Sequence, residues 1–247
     1  MKYIWIIILA IIFVWYLFKR VLLPSKTVNY FKITETPFRE LKMSREDHIL
    51  LHSIMKRLDK LMKENEVEYF VIAGSLMGAF RYNNRMPWDD DIDIGMMSEQ
   101  RKRFESINFH SYGLAIRKVD FGYKVYDSKQ NRRIFTESTF PFIDVFRFIN
   151  TGDSISYESS SARKMWPREY IKHEYLYPLG TCNYDGMSLP CPGKSKEFLD
   201  QAYPGWDTMA YISGSHSGYP LFRIFKMPIN SVTSGEIQEY LKSLTNS

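Results

Sequence analysis

Within Trp88-Asp89-Asp90-Asp91-Ile92-Asp93-Ile94, acidic and apolar residues alternate at the end of a run that carries four carboxylates in five positions. Side chains two apart on a strand share a face. A strand through this segment therefore points Asp91 and Asp93 together and sends Ile92 and Ile94 into the core. A surface turn has no use for isoleucine at those places. Two carboxylates held that close repel each other unless a cation lies between them, and the fitting ion is a hard, oxygen-preferring one such as Mg²⁺ or Mn²⁺.

The segment upstream fits the same chemistry. Tyr69-Phe70-Val71-Ile72-Ala73 is an apolar run ending in Gly74-Ser75, a strand followed by a turn. Leu76 to Tyr82 then reads as a short helix whose first amides suit an anion. Gly74 and Ser75 are candidate donors to phosphate. Strand, Gly-Ser, helix and a carboxylate-bearing strand together suit a metal-bound polyphosphate.

The stretch AGSLMGAFRYNNRMPWDDDIDIGM resembles the signature of the LicD and fukutin family, a branch of the nucleotidyltransferase-fold superfamily. A second stretch, YLYPLGTCNYDGMSLPCPGKSKEFLDQAYPGW, is similar to that family's C-terminal pattern: aromatic-Pro-Leu, a hairpin ending in Pro, and a helix before Tyr-Pro-Gly-Trp. The resemblance implies an α+β fold, a nucleotidyltransferase-like mixed sheet flanked by helices. It implies a third carboxylate from a later strand, supplied here by Asp144 in Phe142-Ile143-Asp144-Val145-Phe146. Asp91 and Asp93 match the acid-apolar-acid triplet, Asp89 is a further ligand, and Asp90 faces away or caps the turn. Asp144 is assigned as both ligand and base.

Arg81 takes the basic place of the family's Gly-Ala-x-Arg pattern and either contacts phosphate bidentately, pairs with the acidic loop or is an exposed helix residue. Lys124, between Tyr123 and Val125, either reaches the pocket or sits on the surface of its strand. Trp88 wedges the loop or stacks on a base. The implied activity is transfer of phosphocholine or an alditol phosphate from a CDP-type donor to a glycan hydroxyl. Two rivals are a true nucleotidyltransferase that releases pyrophosphate and a silent binding or scaffold member.

Composition supports a folded chain: 45% hydrophobic and 16% aromatic residues over 247 positions supply one core. The net charge of +5 comes with no DNA- or RNA-binding motif, so no nucleic-acid partner is expected. Asp120-Phe121-Gly122 spells a kinase metal motif without the rest of that signature and reads as a hairpin turn. Cys182 and Cys191 bracket a hairpin and are read as free thiols, with a disulfide between them as the alternative.

From Tyr3 to Phe18 every residue is apolar or aromatic. That run of roughly 16 is near the ~17 needed to cross a bilayer, with Lys19 and Arg20 able to snorkel. The expected organisation is a transmembrane signal anchor over 1–23, a stem over 24–43 and a catalytic domain over 44–247. Basic residues after the span favour a cytosolic domain, whereas the resemblance implies a Golgi membrane for a eukaryotic chain.

Further elements follow from pattern. Ser44 caps a helix running to about Asn65, with Leu50, Ile54, Leu58 and Leu61 at helical spacing. A helix runs from Ser98 to about Ile107, and strands cover 114–119, 123–126 and 132–135. A Ser-rich loop spans 152–161, and a last helix lies near 236–244.

Overall fold

The computed structural model describes residues 43–130, 133–134, 138–212 and 225–229. The expected membrane anchor, nearly all of the stem and the last helix lie outside them. Among the described residues no helix is long and apolar enough to cross a membrane.

Helix α1 (Arg45–Glu64) begins where its cap dictates. The Asp47 amide donates to Ser44 Oγ at 3.1 Å, Glu46 and Asp47 occupy the positive first turn, and Lys63 the negative last turn. Leu51, Ile54, Met55, Leu58, Leu61 and Met62 form its buried stripe.

The chain then builds β1 (Phe70–Val71), α2 (Ala73–Tyr82) and β2 (Ile92–Met97), followed by a 3₁₀ turn (Ser98–Gln100) and α3 (Arg101–Glu105). The helix expected over 98–107 is thus split. Strands β3 (Leu114–Val119) and β4 (Gly122–Asp127) form a hairpin with Asp120 and Phe121 at its tip. Two short strands, β5 (Arg133–Ile134) and β6 (Ser138–Thr139), pair with each other before β7 (Phe142–Asn150).

Among the described residues the main sheet has seven strands: five in the order β1-β2-β7-β4-β3, with β8 (Ser154–Tyr157) beside β7 and β9 (Ile171–Lys172) beside β8. Among the described residues only β2 and β7 run parallel within it, and the other pairings are antiparallel. The sheet is therefore mixed, as the resemblance implied.

Two expectations need correction. Helix α2 starts at Ala73, so Gly74 and Ser75 lie inside its first turn and not in a loop before it. The sharp exit from β1 is made by Ala73 itself, held at a φ of +50°, a left-handed conformation that costs a non-glycine residue roughly 1 kcal/mol. The Ser-rich segment 152–161 is no loop: it contains β8 and the start of α4 (Ser160–Met165). Ile155 and Tyr157 alternate inward against β7, and the Ser159 hydroxyl caps α4 through the Ala162 amide.

After α5 (His173–Leu176), a separate hairpin of β10 (Gly180–Tyr184) and β11 (Met187–Cys191) precedes α6 (Ser195–Ala202), and β12 (Met209–Ile212) pairs with β13 (Phe225–Pro228). Cys182 and Cys191 are buried free thiols on that hairpin. Its turn is tied to the body of the domain by Asp185. That carboxylate accepts from His52 Nδ1 at 2.8 Å and from Asn84 Nδ2 at 3.0 Å, and lies 3.2 Å from His48 Nε2.

Burial alone would raise the Asp185 carboxyl, but the hydrogen bonds and charges of His48 and His52 hold it well below the ordinary carboxylate range. A depressed folded pKa contributes stability that is present above the unfolded value of ~3.9 and lost as pH falls through the folded one. Asp185→Asn is therefore expected to lose about 1.5–3 kcal/mol at pH 6, with the gap to wild type closing below about pH 4. Denaturant melts across pH 3–6 check this, and a constant gap would contradict it.

Candidate active site

The parallel pairing of β2 and β7 places Asp93 directly beside Asp144. Because paired residues share a face, both carboxylates stand on one side of the sheet. Asp91, just before β2, points the same way. Ligand oxygens of Asp91, Asp93 and Asp144 all lie within 4.8 Å of one another. On the opposite face Ile92 and Ile94 are buried, and Ile92 lines a small cavity together with His48 and Leu51 of α1. The alternation read from the sequence thus separates a polar face from a helix-covered core.

This proximity has an electrostatic consequence. Burial, then the charges of Asp91, Asp144, Asp89 and Glu169, push the Asp93 carboxyl well above its ordinary range. Burial and the charges of Asp91 and Asp90 do the same to Asp89, with Arg85 pulling in the other direction. An all-oxygen donor set that repels itself this strongly fits a hard divalent cation.

One cation of the chain is already present. Lys124 stands opposite Asp144 in the β4–β7 register, and its Nζ lies 2.7 and 2.9 Å from the two Asp144 oxygens. The ammonium also sits 3.5 Å from the centre of the Phe142 ring, a cation–π geometry. Of the two readings of Lys124, the structure supports a residue at the cluster, not one on the surface.

The residues before the acidic strand shape it. Ser75 is fully buried, and its Oγ accepts the Asp93 amide at 2.9 Å, so this hydroxyl fixes the strand backbone. Gly74 leaves room for the loop: a Cβ there would lie 2.6 Å from Asp89 Oδ2. Asp89 is half-buried against it. Asp90 lies outside the cluster and is itself buried, so it does not face solvent. Gly95 on β2 is needed for a different reason, since a Cβ would come within 2.4 Å of the Phe70 ring.

Arg81 donates from Nη2 to the Met209 carbonyl at 2.9 Å and from Nη1 to Met86 Sδ at 3.5 Å. In this conformation it ties α2 to β12. Trp88 is buried edge-on to Tyr82, which matches the wedge.

Two groups of the site were not singled out from the sequence. Arg85 is 2% exposed, and its Nη1 donates to the Asp89 carbonyl at 2.7 Å, holding the acidic loop from beneath. Its place four residues before Asp89 was the available hint. Glu169, also buried, accepts a hydrogen bond from the Tyr157 hydroxyl. Burial raises its carboxyl, partly offset by hydrogen bonds from Tyr157 and Tyr203. No motif surrounds it.

Comparisons with known proteins show what the chain is similar to. The chain is 26% identical over 220 residues to an uncharacterized protein of Rickettsia typhi, covering 87% of this chain and 65% of that one. It therefore spans just under two thirds of that relative. Over 141 residues it is 25% identical to ribitol 5-phosphate transferase FKRP of Homo sapiens, covering 56% of this chain and 28% of that protein. Over 65 residues it is 32% identical to lipopolysaccharide cholinephosphotransferase LicD of Haemophilus influenzae, 26% of this chain and 24% of that one. The family model described as LicD/FKTN/FKRP, nucleotidyltransferase domain, matches residues 66–194, and with its carboxylates on adjacent parallel strands inside that span the chain belongs to this family.

Proposed function

We propose that the chain transfers a phospho-substituent, phosphocholine or an alditol phosphate, from a CDP-type donor to a glycan hydroxyl with Mg²⁺ or Mn²⁺ as cofactor. The observation that carries this reading is the convergence of Asp91, Asp93 and Asp144 within 4.8 Å on one sheet face. The names of two relatives, a cholinephosphotransferase and a ribitol 5-phosphate transferase, supply the transferred group.

In this reading Asp91 and Asp93 are the main metal ligands, Asp144 a third, and Asp89 an auxiliary. A bound Mg²⁺ or Mn²⁺ would supply charge neutralisation at the diphosphate as the nucleotide departs. The glycan oxygen attacks the β-phosphorus, the bond from that phosphorus to the bridging oxygen breaks, CMP leaves, and a phosphodiester forms. Asp144 accepts the hydroxyl proton. Lys124, bound to both Asp144 oxygens in the free protein, is drawn toward the diphosphate when the donor arrives, which frees Asp144 for that task. Ser75 and Gly74 act through the backbone, keeping Asp93 and Asp89 in place. Catalysis is then mainly positioning and electrostatics. The apolar stretch Tyr3 to Phe18 would keep this site at a membrane.

The test is product analysis with the full chain. Incubation with CDP-choline or CDP-ribitol and a glycan acceptor is expected to release CMP only when Mg²⁺ or Mn²⁺ and acceptor are both present. Pyrophosphate release from a nucleoside triphosphate would establish nucleotidyl transfer instead, and a folded protein inert with every donor would indicate a binding role.

A further inference from the structure

A cavity of about 280 Å³ opens beside β8, α4 and the segment leading to β9, with Ser156, Tyr157, Arg163, Trp166, Glu169 and Tyr170 among its walls. Two of these residues connect it to the carboxylates. Tyr157 stands opposite Phe148, which follows Asp144 and Phe146 on the same face of β7. Glu169 accepts a hydrogen bond from the Tyr157 hydroxyl.

The lining selects a chemical class. Trp166 and Tyr170 offer aromatic surface, while Ser156, Arg163 and Glu169 offer both donors and acceptors at its edge. The charged residues carry opposite signs. Arg163 and Glu169 cancel in sum, so a trimethylammonium group or a phosphate meets repulsion from one wall for the attraction it gains from the other. A neutral, hydroxyl-rich ring can bond to both and lay its C–H face on an aromatic side chain. The polar walls are also fixed in advance: Arg163 Nη1 donates to the Tyr157 and Glu158 carbonyls, and Glu169 is held by the Tyr157 hydroxyl. Preorganisation lowers the entropy cost of binding. The volume falls just under the ~300 Å³ at which drug-sized ligand sites begin, which suits one ring and not an oligosaccharide.

We propose that this cavity binds one neutral sugar ring of the glycan acceptor, an assignment that rests on the transferase reading above.

Ligand-observed NMR titration of the full chain tests it, with methyl α-glucoside, methyl α-galactoside, methyl β-N-acetylglucosaminide, choline chloride and inorganic phosphate as probes. At least one glycoside is expected to bind. Tyr170→Ala should weaken that binding about five- to tenfold, and Glu169→Gln should weaken it as well. Tyr170 is 39% exposed, so its truncation leaves the core intact. The shift in melting temperature produced by Mn²⁺ with CDP should survive Tyr170→Ala. The proposal is overturned if no glycoside binds while Mn²⁺ with CDP still stabilises the protein. It is equally overturned if choline or phosphate takes the site, or if glycoside binding ignores both variants. Glycoside binding with the stated residue dependence, but no turnover of any CDP donor, would uphold the sugar site and remove the transferase reading.

Discussion

Asp93→Asn is expected to lower turnover at least ~100- to 1000-fold, in the range lost when one preorganised electrostatic group is removed from a reacting centre. The same substitution should raise the melting temperature of the metal-free protein. Asp93 stands within ligand distance of Asp91 and Asp144, and their charges raise its carboxyl along with burial. A raised folded pKa contributes stability that is fully present below the unfolded value of ~3.9 and disappears as pH rises through the folded one. The metal-free wild type should therefore lose stability between about pH 4 and neutrality relative to Asp93→Asn. Added Mn²⁺ should remove the difference, because a ligand of the native state stabilises by mass action. Thermal melts of both proteins across pH 4–8, with and without Mn²⁺, measure this directly. A metal-free variant less stable than wild type, or one with full activity, would refute the assignment of Asp93.

Where the sequence was legible, one local rule sufficed. The cap at Ser44, the Asp120-Phe121-Gly122 turn and the inward isoleucines of the acidic strand are each fixed by neighbours within a few residues. Asp144 was reached through the resemblance, which implies a third carboxylate on a later strand, and the apolar flanks of Phe142-Ile143-Asp144-Val145-Phe146 marked that segment as one. What failed to show depends on residues far apart in the chain. Ser154 to Tyr157 reads as a loop by composition and becomes a strand because β7 offers an edge opposite it. Gly74 looked like a turn glycine, but its small size serves the close approach of Asp89, fifteen positions on. Arg85 and Glu169 are ordinary surface residue types by local pattern, and only the folded sheet buries them. Their partners, the Asp89 carbonyl and the Tyr157 hydroxyl, carry no mark in the sequence.

Lys124→Met should act in the opposite direction to Asp93→Asn. The ammonium bonds both oxygens of Asp144, and the two side chains are 12% and 8% exposed. Methionine keeps the length and apolar contact of the lysine stem against Phe142 but removes the charge. Asp144 then keeps its two carboxylate neighbours and loses its cation, a change that costs about 3–5 kcal/mol when a buried pair is broken on one side. Saturating Mn²⁺ should recover most of that loss by restoring positive charge to the cluster. A second substitution separates electrostatics from packing. In the Lys124→Met, Asp144→Asn double variant no buried carboxylate is left behind at that position, so the double variant should be more stable without metal than Lys124→Met alone. Equal stability of wild type and Lys124→Met in the absence of metal would contradict the pairing. A loss that Mn²⁺ and Asp144→Asn both failed to repair would assign the effect to packing against Phe142. Two substitutions of opposite sign, each reversed by the same ion, follow only if mutual repulsion among Asp91, Asp93 and Asp144 sets the stability of this face of the sheet.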